Sequence, residues 1–418
     1  MKRATAIPPY PDLLVVSYFV PPFAEAQAIQ VGNLLGAQEG RMLLACGRPT
    51  PAQSDPGSRL APRHRQSRVL AIPFQPHPLA LKLETRARNA RVPLAGRSPD
   101  LFHSWRRPAL RAIRQALAEL AWRPRVLLTF GQPWTDHLIG LRLQRELGLP
   151  WLAHFSDPWA DSPFAPRDPL TATYIRRTEA RVVRAAQRVL FTSPESRDLA
   201  MSRYPPPHCH KGGVVTHSFQ PRDYPAEGFQ AGDRRVIRYL GTFYSKRDPS
   251  LLAQPLRILQ ATRPELLKGL RLEIIGGYHA PPGQAPPFAG LPDGLVVFRD
   301  YVPHDQSLAL MAQAEALLVI EFPVPRSEWL PSKIIEYIGA RRPILGMVPP
   351  GASRRVIESV GGSTADPSDP QAVAAMLARH LSQPPLPSPW GDARARREYE
   401  VARQAGLLLE EMRAVLEG

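Results

Sequence analysis

Short apolar runs alternate with amphipathic stretches along the whole chain. Leu13–Val20 (LLVVSYFV) is continuous, apolar and rich in Val and aromatics, the pattern of a strand buried on both faces of a parallel sheet. Pro21 and Pro22 end it, and Glu25–Leu35 then reads as a helix. Arg41–Ala45 reads as the next strand, and residues 49–68, polar, Pro-rich and basic, as an irregular insertion. Between Trp105 and Trp122 the residues Leu110, Ile113, Leu117 and Leu120 share one side of a helix, with Arg106, Arg107, Arg111 and Arg114 elsewhere. Strands at Val126–Phe130, Trp151–Phe155 and Arg188–Thr192 alternate with helices at Thr135–Leu147 and Tyr174–Ala186. Strand–helix alternation of this kind predicts a parallel α/β sheet.

The second half repeats the pattern. Val236–Leu240 is a strand ending in Gly241-Thr242, and Leu272–Ile275 one ending in Gly276-Gly277. Leu295–Phe298, Ala316–Ile320 and Pro343–Met347 are further strands; Leu251–Gln260, Gln306–Ala314 and Ser332–Ile338 are helices. A helix at about 370–381 follows, then one long helical stretch from about Arg394 to Leu416. Domains run to roughly 100–200 residues each, so 418 residues suggest two. Pro, Gly and Asp cluster in residues 219–234, which places the boundary there. The expected division is residues 1–220 and 221–399, with a C-terminal helix at about 400–418 able to pack back on the first domain.

Composition adds constraints. Apolar residues at 44% and charged residues at 22% fit a globular chain and exclude a disordered one. Two cysteines, Cys46 and Cys209, form no short-spaced metal or redox motif, so a reducing, cytoplasmic compartment is expected. No apolar run is long enough to span a bilayer. Charge is lopsided: residues 1–220 hold 30 Lys+Arg against 15 Asp+Glu, leaving 23 and 22 for residues 221–418. Residues 41–125 alone hold 17 basic and 4 acidic residues. A concentrated basic face calls for an anionic partner.

In open α/β sheets ligands collect at the carboxyl ends of strands. The most informative such segment is Glu328–Leu345 (EWLPSKIIEYIGARRPIL). Pro331 and Ser332 are helix-start residues, so the N–H groups of Lys333 and Ile334 are expected to point out of a helix N-terminus, a ready anion site. Lys333 adds a full charge, and Glu336, one turn on and on the face of Ser332, offers a carboxylate suited to a ribose diol. The same residues also describe a capped helix with surface carboxylates.

An acid and a Glu with seven residues between them, opening a helix that continues Tyr-Ile-Gly-Ala-Arg-Arg-Pro-Ile-Leu, resembles the donor-site signature of retaining GT-B glycosyltransferases of the family 4 type. LLVVSYFVPPF, LAHFSDPWAD (152–161), RYLGTFYSKRDP (238–249), LEIIGGYH and DYVPHDQSLALMAQAEALLVI resemble further segments of that family in the same order. The resemblance implies two Rossmann-like domains with parallel sheets facing across a cleft. It implies a donor-sugar contact for Glu328 and a ribose contact for Glu336. It also implies phosphate or base contacts from Lys333, Ser332, Gly241, Thr242, Gly276, Tyr301 and Val302. The family's cationic pair falls on Thr242 and Arg247, so Arg247, with Lys246 beside it, is expected to neutralise the leaving diphosphate. Asp157 and His154, ending the strand Trp151–Phe155, are expected on the acceptor or sugar side. Where relatives often have Gly-Gly, this chain has Pro22–Gln27, so Phe23, Glu25 and Gln27 are expected to form the acceptor-side loop.

The implied reaction moves a glycosyl group from a nucleoside diphosphate sugar to a hydroxyl acceptor, with retention. No cofactor or metal is expected, and the sequence holds no Asp-x-Asp motif. A lipid-linked saccharide or growing surface polysaccharide is the preferred acceptor, with the basic domain resting on an anionic membrane surface and no nucleic acid involved. Two other classes stay open: a nucleotide-sugar epimerase on the same fold, and a catalytically weakened scaffold or binding protein.

Overall fold

The computed structural model describes residues 11–55, 57, 58, 60, 62, 64–74, 82, 86, 100–162, 168–226, 228–232, 234–243, 248–277 and 287–417. The chain divides into two compact units, one of residues 1–217 with 401–418 and one of residues 218–400.

In the first unit, strands β1 (Leu13–Val16), β2 (Met42–Gly47), β3 (Arg68–Ile72), β4 (Val126–Gly131), β5 (Trp151–Phe155), β6 (Arg188–Phe191) and β7 (Gly212–Val214) form one sheet in the order β3-β2-β1-β4-β5-β6-β7. Every neighbouring pair is parallel. Both faces are covered. Helices α2 (Arg106–Glu119), α3 (Thr135–Leu147) and α4 (Pro169–Ala185) supply residues such as Ile113, Ile139 and Val182 to one core. Helix α1 (Ala26–Gly36) and the last helix, α12 (Val401–Glu417), supply the other through Val31, Leu34, Leu408 and Met412. Arg188 ties α12 to β6 through both oxygens of Glu411, and Gln404 Oε1 accepts the Thr216 N–H at 2.8 Å. Helix α5 (Pro194–Met201) is capped by Ser193.

The second unit holds β8 (Arg235–Leu240), β9 (Leu270–Ile275), β10 (Val296–Arg299), β11 (Ala316–Ile320), β12 (Ile344–Met347) and β13 (Ser363–Ala365), all parallel, in the order β10-β9-β8-β11-β12-β13. Helices α6 (Ala253–Thr262), α7 (His304–Ala312), α8 (Ser332–Ala340), α9 (Ala352–Ser359), α10 (Pro370–Leu381) and α11 (Ala393–Arg397) pack on it. Strand order reverses between β1 and β4 in the first sheet and between β8 and β11 in the second. Such reversals open a crevice at the strand carboxyl ends.

Several expected elements differ. The first strand stops at Val16, not Val20, because the Tyr18 N–H leaves the ladder and donates to Asp136 Oδ2 at 2.7 Å. Residues 49–68 are not wholly irregular: Thr50 and Gln53 close a short 3₁₀ turn, and Ser54 bridges Phe23. The last helical stretch is two helices, broken at Glu398–Glu400, where the Tyr399 carbonyl accepts the Phe219 N–H at 3.0 Å. Among the described residues no helix is long and apolar enough to cross a membrane.

Leu408 is 1% exposed in the core of the first unit. Leu408→Ala should cost about 2–5 kcal/mol. In a urea titration it should lower the midpoint of the first unit's transition and leave that of the second; a shift of both transitions would contradict independent cores.

Candidate functional site

The carboxyl ends of β8 and β9 meet in a glycine cradle. Gly241 has φ 131 and Gly276 φ 128, a region that side chains rarely adopt. A Cβ at Gly276 would lie 2.6 Å from the Gly241 carbonyl oxygen, and one at Gly241 would lie 2.5 Å from Lys333 Nζ. Backbone and ammonium therefore crowd one spot beside the strand-order reversal. Lys333 Nζ donates to Tyr239 Oη at 2.7 Å and lies 3.9 Å from the Tyr239 ring centroid, while that ring stacks on Phe243 at 4.3 Å. Thr242, next to Gly241, is exposed.

Helix α8 is anchored independently of its first turn. Tyr337 Oη accepts the Leu240 N–H at 2.8 Å, and Tyr224 Oη donates to the Glu336 carbonyl at 2.8 Å. Burial pushes both phenols well above their ordinary range, so both stay protonated. Ser332 and Lys333 open the helix as expected. The Ile334 N–H does not point outward: it donates to the Pro331 carbonyl at 3.1 Å, tightening the first turn.

The carboxylate of Glu336 faces α7. His304 Nε2 donates to Glu336 Oε1 at 3.2 Å. His304 was not among the expected residues, although it opens the helix just after Tyr301 and Val302; a histidine at a helix start following the expected base segment was the available signal. Tyr301 is 60% exposed, an unusual position for so large a ring, while Val302 is half-buried against the core of the second unit that holds Leu308 and Ile334. Glu328 is half-buried in the loop before α8, with Arg326 Nε at 3.8 Å. Lys246 and Arg247 lie outside the described residues.

In the first unit, Asp157 follows β5 and accepts from Gln132 Nε2 at 3.3 Å, so the loops after β4 and β5 are tied together. Trp159 stacks on Trp134 at 4.9 Å, and the Ala160 N–H donates to Glu179 Oε2 at 2.8 Å. Glu179 is fully buried and also accepts from Arg203 and Tyr204, fixing this segment. Glu25 is exposed at the start of α1 and Gln27 half-buried within it. Phe23 departs from the expected loop role: it is 1% exposed and packs on Tyr18 and Phe19, so its ring belongs to the core.

His154 also differs from the expectation of a residue facing ligand. Its ring is 4% exposed, lies 5.2 Å from the Phe130 ring, and donates from Nε2 to the Val215 carbonyl at 2.8 Å. Burial lowers its pKa to about 4. Burial, followed by the neighbouring His154, likewise lowers that of His137 to about 3. Both rings are neutral in the fold.

The sequence matches no family model and no curated protein. Solved structures are similar over nearly the whole chain. A UDP-forming α,α-trehalose-phosphate synthase from Burkholderia xenovorans is 16% identical, with 96% of this chain and 99% of that one covered at a TM-score of 0.64. Sucrose-phosphate synthase from Thermosynechococcus elongatus is 16% identical, over 97% and 95%, at 0.58. HepE from Anabaena, solved with UDP and glucose, is 12% identical, over 98% of each chain, at 0.57. These neighbours are GT-B glycosyltransferases, and the chain has their fold.

The buried histidines set a pH dependence. Unfolded, each binds a proton near pH 6.5; folded, His154 binds one only near pH 4. The unfolded chain therefore holds more protons in that window, and stability falls as pH drops from about 6.5 toward 4. His154→Gln removes one such proton, so the slope of unfolding free energy against pH should fall by about 1.4 kcal/mol per unit across the window. Urea melts at stepped pH measure this; an unchanged slope would show that His154 titrates normally.

Proposed function

We propose that the protein is a glycosyltransferase that takes its sugar from a nucleoside diphosphate donor bound by the second unit. The observation that carries the reading is the crowding of Gly241, Gly276 and Lys333 Nζ at the strand-order reversal, with Glu336 one helical turn away. Phosphate oxygens approach backbone where side chains are absent, and Lys333 with the helix start supplies positive potential. Glu336 accepts the ribose hydroxyls and Glu328 faces the sugar. UDP is the favoured nucleotide, since two of the similar structures are named for it.

In the reaction, charge develops on the leaving diphosphate as the anomeric carbon becomes oxocarbenium-like. Fixed cations and N–H donors lower that barrier because they need no reorganisation. Lys333 fills the role here, joined by Arg247 and Lys246 on the sequence argument. Retention of configuration and independence from metal follow from the family resemblance. Asp157 and the Glu25–Gln27 segment belong to the acceptor side. The cytoplasm, at the inner face of a membrane, is the proposed location.

Thr242 and the side chains of Pro22–Gln27 favour a second reading, a weakened scaffold that binds donor without turning it over. An epimerase would convert donor with no acceptor present.

A ligand that binds only the native state stabilises it, by about 2.7 kcal/mol at a hundredfold excess over its dissociation constant. UDP-glucose should raise the melting temperature by several degrees, and Glu336→Ala should abolish the rise. If no UDP-, GDP- or ADP-sugar shifts the wild type, the donor site is wrong. Binding without sugar transfer to any hydroxyl acceptor would favour the scaffold.

For the acceptor we propose a lipid-linked saccharide or surface polysaccharide, reached from an anionic membrane. Arg106, Arg107 and Arg111 on α2 are exposed and have no carboxylate partner among the described residues, whereas Arg114 is held by Glu146 at 2.7 Å. Each such arginine near an anionic surface contributes about 1 kcal/mol. Changing the three to Gln should reduce sedimentation with anionic liposomes while sparing the donor-induced thermal shift; unchanged sedimentation would remove the membrane from the account.

A further inference from the structure

The loop between β11 and α8 is fastened by a carboxylate that the fold buries. Glu321 follows the last residue of β11 and is 0% exposed. It accepts a hydrogen bond from Ser327 Oγ at 2.9 Å and another from Ser353 Oγ. Ser327 lies in the loop itself; Ser353 lies in the first turn of α9. The backbone joins the same knot. The Ser327 N–H donates to the Pro350 carbonyl at 2.8 Å, and the Ser327 carbonyl accepts the Ala352 N–H at 2.9 Å. Gly351, at φ 136, presses so close that a Cβ there would lie 1.9 Å from the Ser327 oxygen.

Glu328 is the next residue. Trp329 follows, stacked on Phe322 at 5.4 Å. The middle of the loop is thus tied to the end of the strand and to α9 at one buried group. Removing a donor from a buried carboxylate leaves it under-satisfied, which the interior penalises.

We infer that Glu321 is a positioning residue that fixes, through Ser327, where Glu328 presents its carboxylate to the donor sugar. The inference rests on the reading of the second unit as a nucleotide-sugar site. It separates two halves of that site. The nucleotide half stands on Gly241, Gly276 and α8, and α8 is held by Tyr337 and Tyr224 without help from Glu321. The sugar half, Glu328, depends on the fastened loop.

Calorimetric titration of the full chain with UDP and with UDP-glucose tests this. Ser327→Ala removes one hydroxyl and keeps the backbone knot, so the fold should survive. Its UDP affinity should match the wild type, while its UDP-glucose affinity falls on the order of tenfold, the loss of a hydrogen bond to a charged group. Glu321→Ala should behave alike, and Glu321→Gln, which keeps an oxygen acceptor for Ser327, should fall closer to wild type. Unchanged UDP-glucose affinity in Ser327→Ala, or equal loss for UDP and UDP-glucose, would overturn the positioning role alone. A wild type that binds neither would overturn the donor site and this inference together.

Discussion

Gly276 lies so close to the Gly241 carbonyl that position 276 has no room for a side chain, and the proposed donor site depends on that approach. Two strands end side by side with their backbones turned through positive φ, and the Gly241 and Gly276 N–H groups donate to the Ile275 and Arg299 carbonyls, so backbone closes the end of the sheet. Lys333 then fills the space above Gly241 with charge. Its ammonium is held against the Tyr239 hydroxyl and ring, which are held in turn by the stack with Phe243. The site is built from rigid elements at its base, and the reversal of strand order keeps the helices apart there.

Both units solve the same problem with the same device. Loops that carry candidate acids run over the ends of strands, where the ladder no longer holds them. In the second unit Glu321 gathers hydroxyls from two segments and fastens the loop before Glu328. In the first, Glu179 gathers Arg203, Tyr204 and the Ala160 N–H and fastens the segment after Asp157. Asp136 holds the end of β1 by a single donor, the Tyr18 N–H on Oδ2, while Oδ1 is buried with no hydrogen-bond partner among the described residues; burial pushes its carboxyl well above the usual range. A buried acid is costly unless several donors converge on it, so Glu321 and Glu179 each specify a single loop conformation.

The fold was legible because both sheets are buried on two faces, which forces continuous apolar strands such as Val126–Phe130 (VLLTF) and Ala316–Ile320 (ALLVI). The short strands β3, β7 and β13 escaped notice: Arg68–Ile72 is a largely exposed edge, and Gly212–Val214 carries two glycines. The glycine turns, Lys333 and Glu336 were readable because their residue types are demanding at strand and helix ends. His304, Glu321 and Glu179 were not, since their meaning lies in partners 19 or more residues away or in a buried hydroxyl that no spacing announces. The burial of His154 and Phe23 was hidden for the same reason: a polar or aromatic residue near a strand end reads alike whether it faces ligand or core.

Hydrogen–deuterium exchange of the whole chain with and without UDP-glucose tests the location of the donor site most directly. The account predicts that added ligand slows exchange in peptides covering 240–243, 274–277 and 332–338, where backbone N–H groups surround the cradle. Protection confined to other segments, or none at saturating ligand, would contradict it.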